Sequence, residues 1–363
     1  MSATAIANDL TAFEVADLTG AQAEPASISV SNVAKTYPIS FQRVRQAIQR
    51  KCLHPVEALS GVSFEVRQGE IFGLIGPNGA GKTTLTKIIA TMVQPTSGTV
   101  SVHGYDSVFD EEQVRLHVGL ASAEERSFYW RISVRQNLMF FARLYGMSDT
   151  EALRRISDLV ELFNMGDYEH RRFGELSTGN KQRMSVMRAL IADPPVLLLD
   201  EPTRSLDPVA AATMRSVIRA LVEQDRPVSI LLTSHNLSEV EELCSRVAIL
   251  SGGQIRDVDT PKNLKAVETP TERVHITMRG LLPAEVELLL PHLDDLKLTI
   301  EGSEIIISFT RMERDDQLDL VLGRLHDNGA TILALDFERT TLLDVIQGYQ
   351  DNREGQDCGV SRC

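Results

Sequence analysis

Long apolar runs are missing from this sequence: nowhere in its 363 residues is there the ~18-residue apolar stretch that a membrane-spanning helix requires. The chain is therefore expected not to cross a bilayer itself. Cysteine is scarce, and Cys52, Cys244, Cys358 and Cys363 show no C-x-x-C spacing, which leaves them as free thiols in a reducing compartment. Cys363 is the last residue rather than the fourth from the end, so the tail does not fit a prenylation box. Positive charge is also short: 37 Lys and Arg stand against 50 Asp and Glu, and the net −13 repels a phosphate backbone. Nucleic acid is thereby excluded as a partner unless a local basic patch overcomes that field. The first 26 residues hold no Lys or Arg and lack the basic start of a secretory or transit peptide. They read as a disordered tail.

What is present is enough chain for one large and one smaller domain, each able to bury its own core. Ser27 to Val33 reads as a strand, Val62 to Val66 alternates, and Ile71 to Ile75 is a buried strand running into a glycine-rich loop. Further apolar strands at Val196–Leu199, Val228–Leu232 and Val247–Leu250 are separated by helical segments, an α/β order. The first domain is placed at 27–267. It is interrupted by an insertion, 38–56, that carries Arg43, Arg45, Arg50 and Lys51 but no acid before Val56. Thr269, Pro270 and Thr271 read as a linker into a small α+β unit, 268–349. Its strands are expected at Val274–Met278, Leu296–Ile300, Ile305–Phe309 and Thr331–Phe337. Its helix carries Leu318, Val321, Leu322 and Leu325 and ends at Gly329. Residues 350–363 are read as a flexible tail.

Gly76, Pro77, Asn78, Gly79, Ala80, Gly81, Lys82 and Thr83 fit G-x-x-x-x-G-K-[ST], after a buried strand and before a helical run that opens at Thr84. Glycines let the backbone N–H groups wrap a phosphate chain, Lys82 pairs with β/γ oxygens and Thr83 can hold Mg²⁺. Val196 to Leu199 then bury a strand whose end presents two carboxylates. Asp200 is placed for the Mg²⁺ shell, and Glu201 to orient or deprotonate the attacking water.

Leu176, Ser177, Thr178, Gly179, Asn180, Lys181, Gln182 and Arg183 resemble the signature motif of ABC ATPases in its S-T-G form. The resemblance extends to Ser205-Leu206-Asp207, similar to a D-loop, and to His235 at a strand end. It implies a P-loop NTPase domain of the ABC type with a helical subdomain, followed by the small α+β domain. It also implies ATP and Mg²⁺ as cofactors. Ser177, Thr178 and Gly179 would receive the γ-phosphate of a nucleotide held by a second ATPase subunit, in a homodimer. His235 would hold Glu201 and water in line, Asp207 would link the two sites, and Tyr37 would stack on adenine. Glu124, or alternatively Glu125, falls where the family carries a Gln that contacts Mg²⁺ or water; a carboxylate there can bind the metal more strongly but, when ionised, cannot donate a hydrogen bond.

The function implied is an ATP-hydrolysing subunit that energises export of an unidentified substrate through a polytopic permease, peripheral on the cytoplasmic face of the plasma membrane. The alternative is a soluble ATPase of this family acting in macromolecular assembly. Phe128, Tyr129 and Trp130 lie where relatives receive a helix of the membrane subunit, and three adjacent aromatics equally suit a core. In the insertion, Phe41, Val44, Ile48 and Cys52 gather on one helical stripe, and an amphipathic helix at a membrane surface competes there with a solvated loop.

Overall fold

The computed structural model describes residues 26–38, 55–122, 127–204, 206–223, 226–266, 271–291, 293, 295–302, 304–312 and 317–339. The N-terminal tail, most of the insertion, Glu124 and Glu125, Ser205, most of the linker and the C-terminal tail lie outside the described residues.

Three sheets are present among these residues. The first is antiparallel, from β1 (Ala26–Tyr37), β2 (Val56–Arg67), β4 (Ser97–Val102) and β5 (Tyr105–Asp106), in the order β2-β1-β4-β5. Its alternation works as expected, with Val62, Phe64 and Val66 buried and the residues between them exposed. β1 runs through to Tyr37, well beyond the expected end at Val33, because Lys35, Thr36 and Tyr37 continue to pair with Leu59, Glu57 and Val56 across register shifts.

The second sheet carries the phosphate loop. Its order is β10-β9-β3-β8-β7-β6, from β3 (Ile71–Ile75), β6 (Val118–Ser122), β7 (Val196–Asp200), β8 (Ser229–Thr233), β9 (Arg246–Ser251) and β10 (Gln254–Asp259). All pairs are parallel except the β9–β10 edge. β3 and β8 are buried at every residue, the pattern of strands covered on both faces. Helices α1 (Lys82–Ile89), α2 (Glu111–His117), α5 (Thr178–Leu190), α6 (Pro208–Val222) and α7 (Leu237–Leu243) connect these strands. Two more, α3 (Val134–Leu144) and α4 (Asp149–Leu162), form the helical subdomain. Each opens with a capping box, Ser133 with Gln136 and Ser148 with Glu151. α8 (Pro261–Ala266) follows β10.

The C-terminal sheet is antiparallel, β12-β13-β11-β14, from β11 (Thr271–Arg279), β12 (Lys297–Glu301), β13 (Glu304–Met312) and β14 (Thr331–Arg339), with α9 (Pro283–Leu289) and α10 (Gln317–Asp327). Val274, Ile276, Met278, Ile307, Phe309, Val321 and Leu325 build a core separate from those of the first two sheets. Gly329 ends α10's turn at φ +91°.

Two glycines of the phosphate loop are required by geometry. A Cβ on Gly76, at φ +154°, would meet the Leu250 carbonyl oxygen at 2.0 Å, and one on Gly81, at φ +112°, the Ala58 oxygen at 2.6 Å.

Candidate nucleotide site

β3 ends at Ile75, the loop turns through Gly76 to Gly81, and α1 begins at Lys82. α1 has no side-chain cap and no acid in its first turn, so its N–H groups and partial positive charge stay available to an anion. Lys82 Nζ folds back onto its own loop, donating to the Gly76 oxygen at 2.6 Å and the Pro77 oxygen at 3.1 Å. Burial lowers the Lys82 pKa, and Glu201 and Asp200 pull it partly back up.

A cleft of ≈ 320 Å³, within the range of small-molecule sites, is lined by Asn78 to Thr84 and by Val56, Glu57 and Ala58. Asp200, Glu201 and Arg204 close it. β7 lies one strand from β3, with β8 between them, so Asp200 emerges beside the loop. Its Oδ2 accepts from Thr83 Oγ1 at 3.4 Å and its Oδ1 from Thr233 Oγ1 at 2.5 Å. Glu201 holds φ +53°, in the left-handed region that non-glycine residues seldom adopt. Its backbone N–H donates to the Thr233 oxygen at 2.9 Å, and its carboxylate stands between two nitrogens, His235 Nδ1 at 3.3 Å from Oε1 and Arg204 Nη1 at 3.1 Å from Oε2.

Of the expected site residues, those of the phosphate loop with Asp200, Glu201 and His235 are brought together. Tyr37 pairs with Val56, which lines the cleft, and Lys35 Nζ lies 5.2 Å from the Tyr37 ring centroid. Ser177, Thr178 and Gly179 are elsewhere and do not line the cleft. Ser177 is the N-cap of α5, accepting from Asn180 N–H at 3.4 Å. Thr178 and Gly179 fall inside the first turn of the helix. Asp207 is also an N-cap: its Oδ1 accepts from both Val209 N–H and Ala210 N–H, and among the described residues no donor reaches Oδ2.

The aromatic run divides. Phe128 is core at 6% exposure, while Tyr129 and Trp130 are each 51% exposed. The Trp130 ring stacks edge-on against Phe173 and carries Lys181 Nζ at 4.4 Å. Sequence reasoning missed Arg204 and Thr233. Arg204 sits in a loop of no distinctive pattern, and Thr233 passes for a strand residue until its hydroxyl meets Asp200.

A glycine-rich loop between strand and helix, closed by paired carboxylates at a nearby strand end, defines a P-loop nucleotide hydrolase. A family profile described as ABC transporter matches residues 59–204. The chain is 38% identical over 200 residues, 55% of its own length and 80% of the relative's, to the ABC transporter ATP-binding protein NatA of Bacillus subtilis (strain 168). It is 34% identical to the Nod factor export ATP-binding protein I of Neorhizobium galegae, across 77% of this chain and 76% of that one. The fold is similar to that of MJ0796, a bacterial ABC transporter cassette solved as a dimer, with TM-score 0.56, 23% identity and coverage of 64% of this chain and 98% of that one. The chain belongs to the ABC transporter ATP-binding family, and it is an ATPase.

Proposed function

We propose that two copies of this chain hydrolyse ATP between them and so power export of a substrate through a separate membrane-spanning partner. One observation carries the dimeric part: the cleft contains the phosphate loop and both acids, but not Ser177 or Gly179. The signature helix α5 offers first-turn N–H groups and the Ser177 hydroxyl to an anion its own chain's cleft does not supply. A second copy, head to tail, supplies it. Export is supported by the Nod factor relative's name. Among the described residues no helix is long and apolar enough to cross a membrane, which suits a peripheral subunit on the cytoplasmic face of the plasma membrane.

The same proposal gives each site residue a role. Lys82 exchanges the Gly76 and Pro77 carbonyls for phosphate oxygens. The Thr83 hydroxyl and Asp200 carboxylate form an oxygen donor pair that fits a hard divalent cation, and Thr233 fixes the carboxylate's orientation. Mg²⁺ there supplies charge neutralisation for the phosphates. Glu201 accepts the proton of the attacking water, His235 orients the carboxylate and reaches the γ-phosphate, and Asp207 Oδ2 is left to bond across the dimer. Tyr37 stacks on the base.

Glu201→Gln tests the reading: it is expected to lower turnover about 10²–10⁴-fold while preserving ATP binding, and to accumulate as an ATP-bound dimer in size-exclusion chromatography. A wild-type rate removes Glu201 as the base. A polytopic membrane protein co-purifying with the chain from membranes supports transport, and a stable soluble assembly without one overturns it.

A further inference from the structure

Glu239 is a buried carboxylate to which the chemistry above gives no part. It lies on α7 at 1% exposure, directly after the loop that carries His235. Its Oε2 accepts from Ser234 Oγ at 2.6 Å, while its Oε1 is buried without a hydrogen-bond partner among the described residues. Ser234 precedes His235. On the other side of His235, Asn236 accepts from the Glu239 N–H at 3.4 Å and donates its own N–H to Ser234 Oγ at 3.0 Å. Both neighbours of His235 are thus tied to Glu239. An apolar side chain would be less costly to bury at this position.

We infer that Glu239 is a positioning residue for hydrolysis: its bond to Ser234 fixes the loop after β8, holding His235 Nδ1 3.3 Å from Glu201. The inference rests on the roles read above for Glu201 and His235. Glu239 touches no reacting atom. It acts through His235, so its loss slows the chemical step and leaves nucleotide binding, which belongs to the phosphate loop, in place. Burial raises the Glu239 pKa, as its 1% exposure requires.

The test uses the full-length chain with four variants: Glu239→Ala, Glu239→Gln, Ser234→Ala and His235→Ala, plus the Glu239→Ala/His235→Ala double. Misplacement of a catalytic group by about 1 Å costs on the order of 10²-fold, so kcat of Glu239→Ala is expected to fall on that scale. Its affinity for a fluorescent non-hydrolysable ATP analogue is expected to hold. Glu239→Gln, whose amide oxygen can still accept from Ser234, is expected to restore most of the rate. The double variant is expected to be no slower than His235→Ala alone, as for two residues acting as one unit. Should Glu239→Ala fail to fold, Ser234→Ala removes the 2.6 Å bond with a smaller cavity and carries the same expectation. Additive losses in the double variant, or analogue binding lost in step with kcat, would overturn the assignment in favour of a structural role. A wild-type rate in His235→Ala would overturn the role of His235 and this inference with it. A wild-type rate in Glu239→Ala beside a slow His235→Ala would overturn the inference alone.

Discussion

In the six-stranded sheet every residue of β3 and β8 is buried, whereas β11 of the C-terminal sheet alternates, with Val274, Ile276 and Met278 buried and His275 and Thr277 half-buried between them. A sheet covered on both faces meets solvent only at its edges and strand ends. The phosphate loop after β3, the acids at the end of β7 and the histidine after β8 all stand at that one rim, where parallel strands point the same way. The C-terminal sheet runs antiparallel and keeps one face against its helices, so its strands end alternately at opposite rims and do not gather side chains the same way. The contrast teaches that parallel order, more than residue type, converts a strand end into a reactive place.

The sharpest attempt to break the comparison is to damage one core and watch the other. Ile276→Ala empties a fully buried position of the C-terminal unit and is expected to cost about 2–5 kcal/mol there. Calorimetry should show the C-terminal transition moving down while ATP affinity stays unchanged. A loss of ATP binding would mean that the two cores are coupled. Next in size, Lys82→Ala removes a charged donor from the cleft, worth about 1.5–3 kcal/mol to bound phosphate. Titration with a fluorescent ATP analogue should show the weakening, with neither melting transition displaced downward. Trp130→Ala concerns one of the two adjacent aromatics, with Tyr129, that the ATPase unit leaves 51% exposed. It is expected to cost about 1 kcal/mol or more in association with the proposed membrane partner and to spare both basal ATPase rate and melting temperature. Unfolding of the variant would return Trp130 to a packing role.

The smallest effect is a pH dependence confined to the ATPase unit. An unfolded chain ionises a glutamate near 4.5, and the folded protein holds the Glu239 proton to higher pH because burial disfavours the charge. Above that value the folded state binds more protons than the unfolded one, so this group's contribution to stability falls as pH rises. Glu239→Gln cannot titrate. Its melting temperature relative to wild type is expected to improve from pH 4.5 toward the raised folded value, in thermal melts across that window. A difference that is flat with pH would show that Glu239 titrates alike in both states.

Much of this was legible residue by residue. The phosphate loop and the apolar strand before Asp200 each depend on neighbours in the chain, since local spacing sets backbone conformation and the period of burial. Weak local signals failed: β6, Val-Gly-Leu-Ala-Ser, has little alternation, and its identity as a strand comes from its parallel pairing with β7. The aromatic run could not be divided from sequence, because burial of Phe128 and exposure of Trp130 depend on where Phe141 and Phe173 pack.

By itself the sequence determined the class of chemistry, since a glycine-rich loop with Lys82 and Thr83 and the acids Asp200 and Glu201 suits phosphoryl transfer in any register that keeps them local. The tertiary structure alone decided which distant groups meet: Thr233 on Asp200, His235 and Arg204 on Glu201, and Glu239 under the His235 loop. The reason is physical. These encounters are set by the strand order β3-β8-β7 and by the direction each crossover takes, and both follow from burying two sheet faces at once rather than from any short stretch of residues.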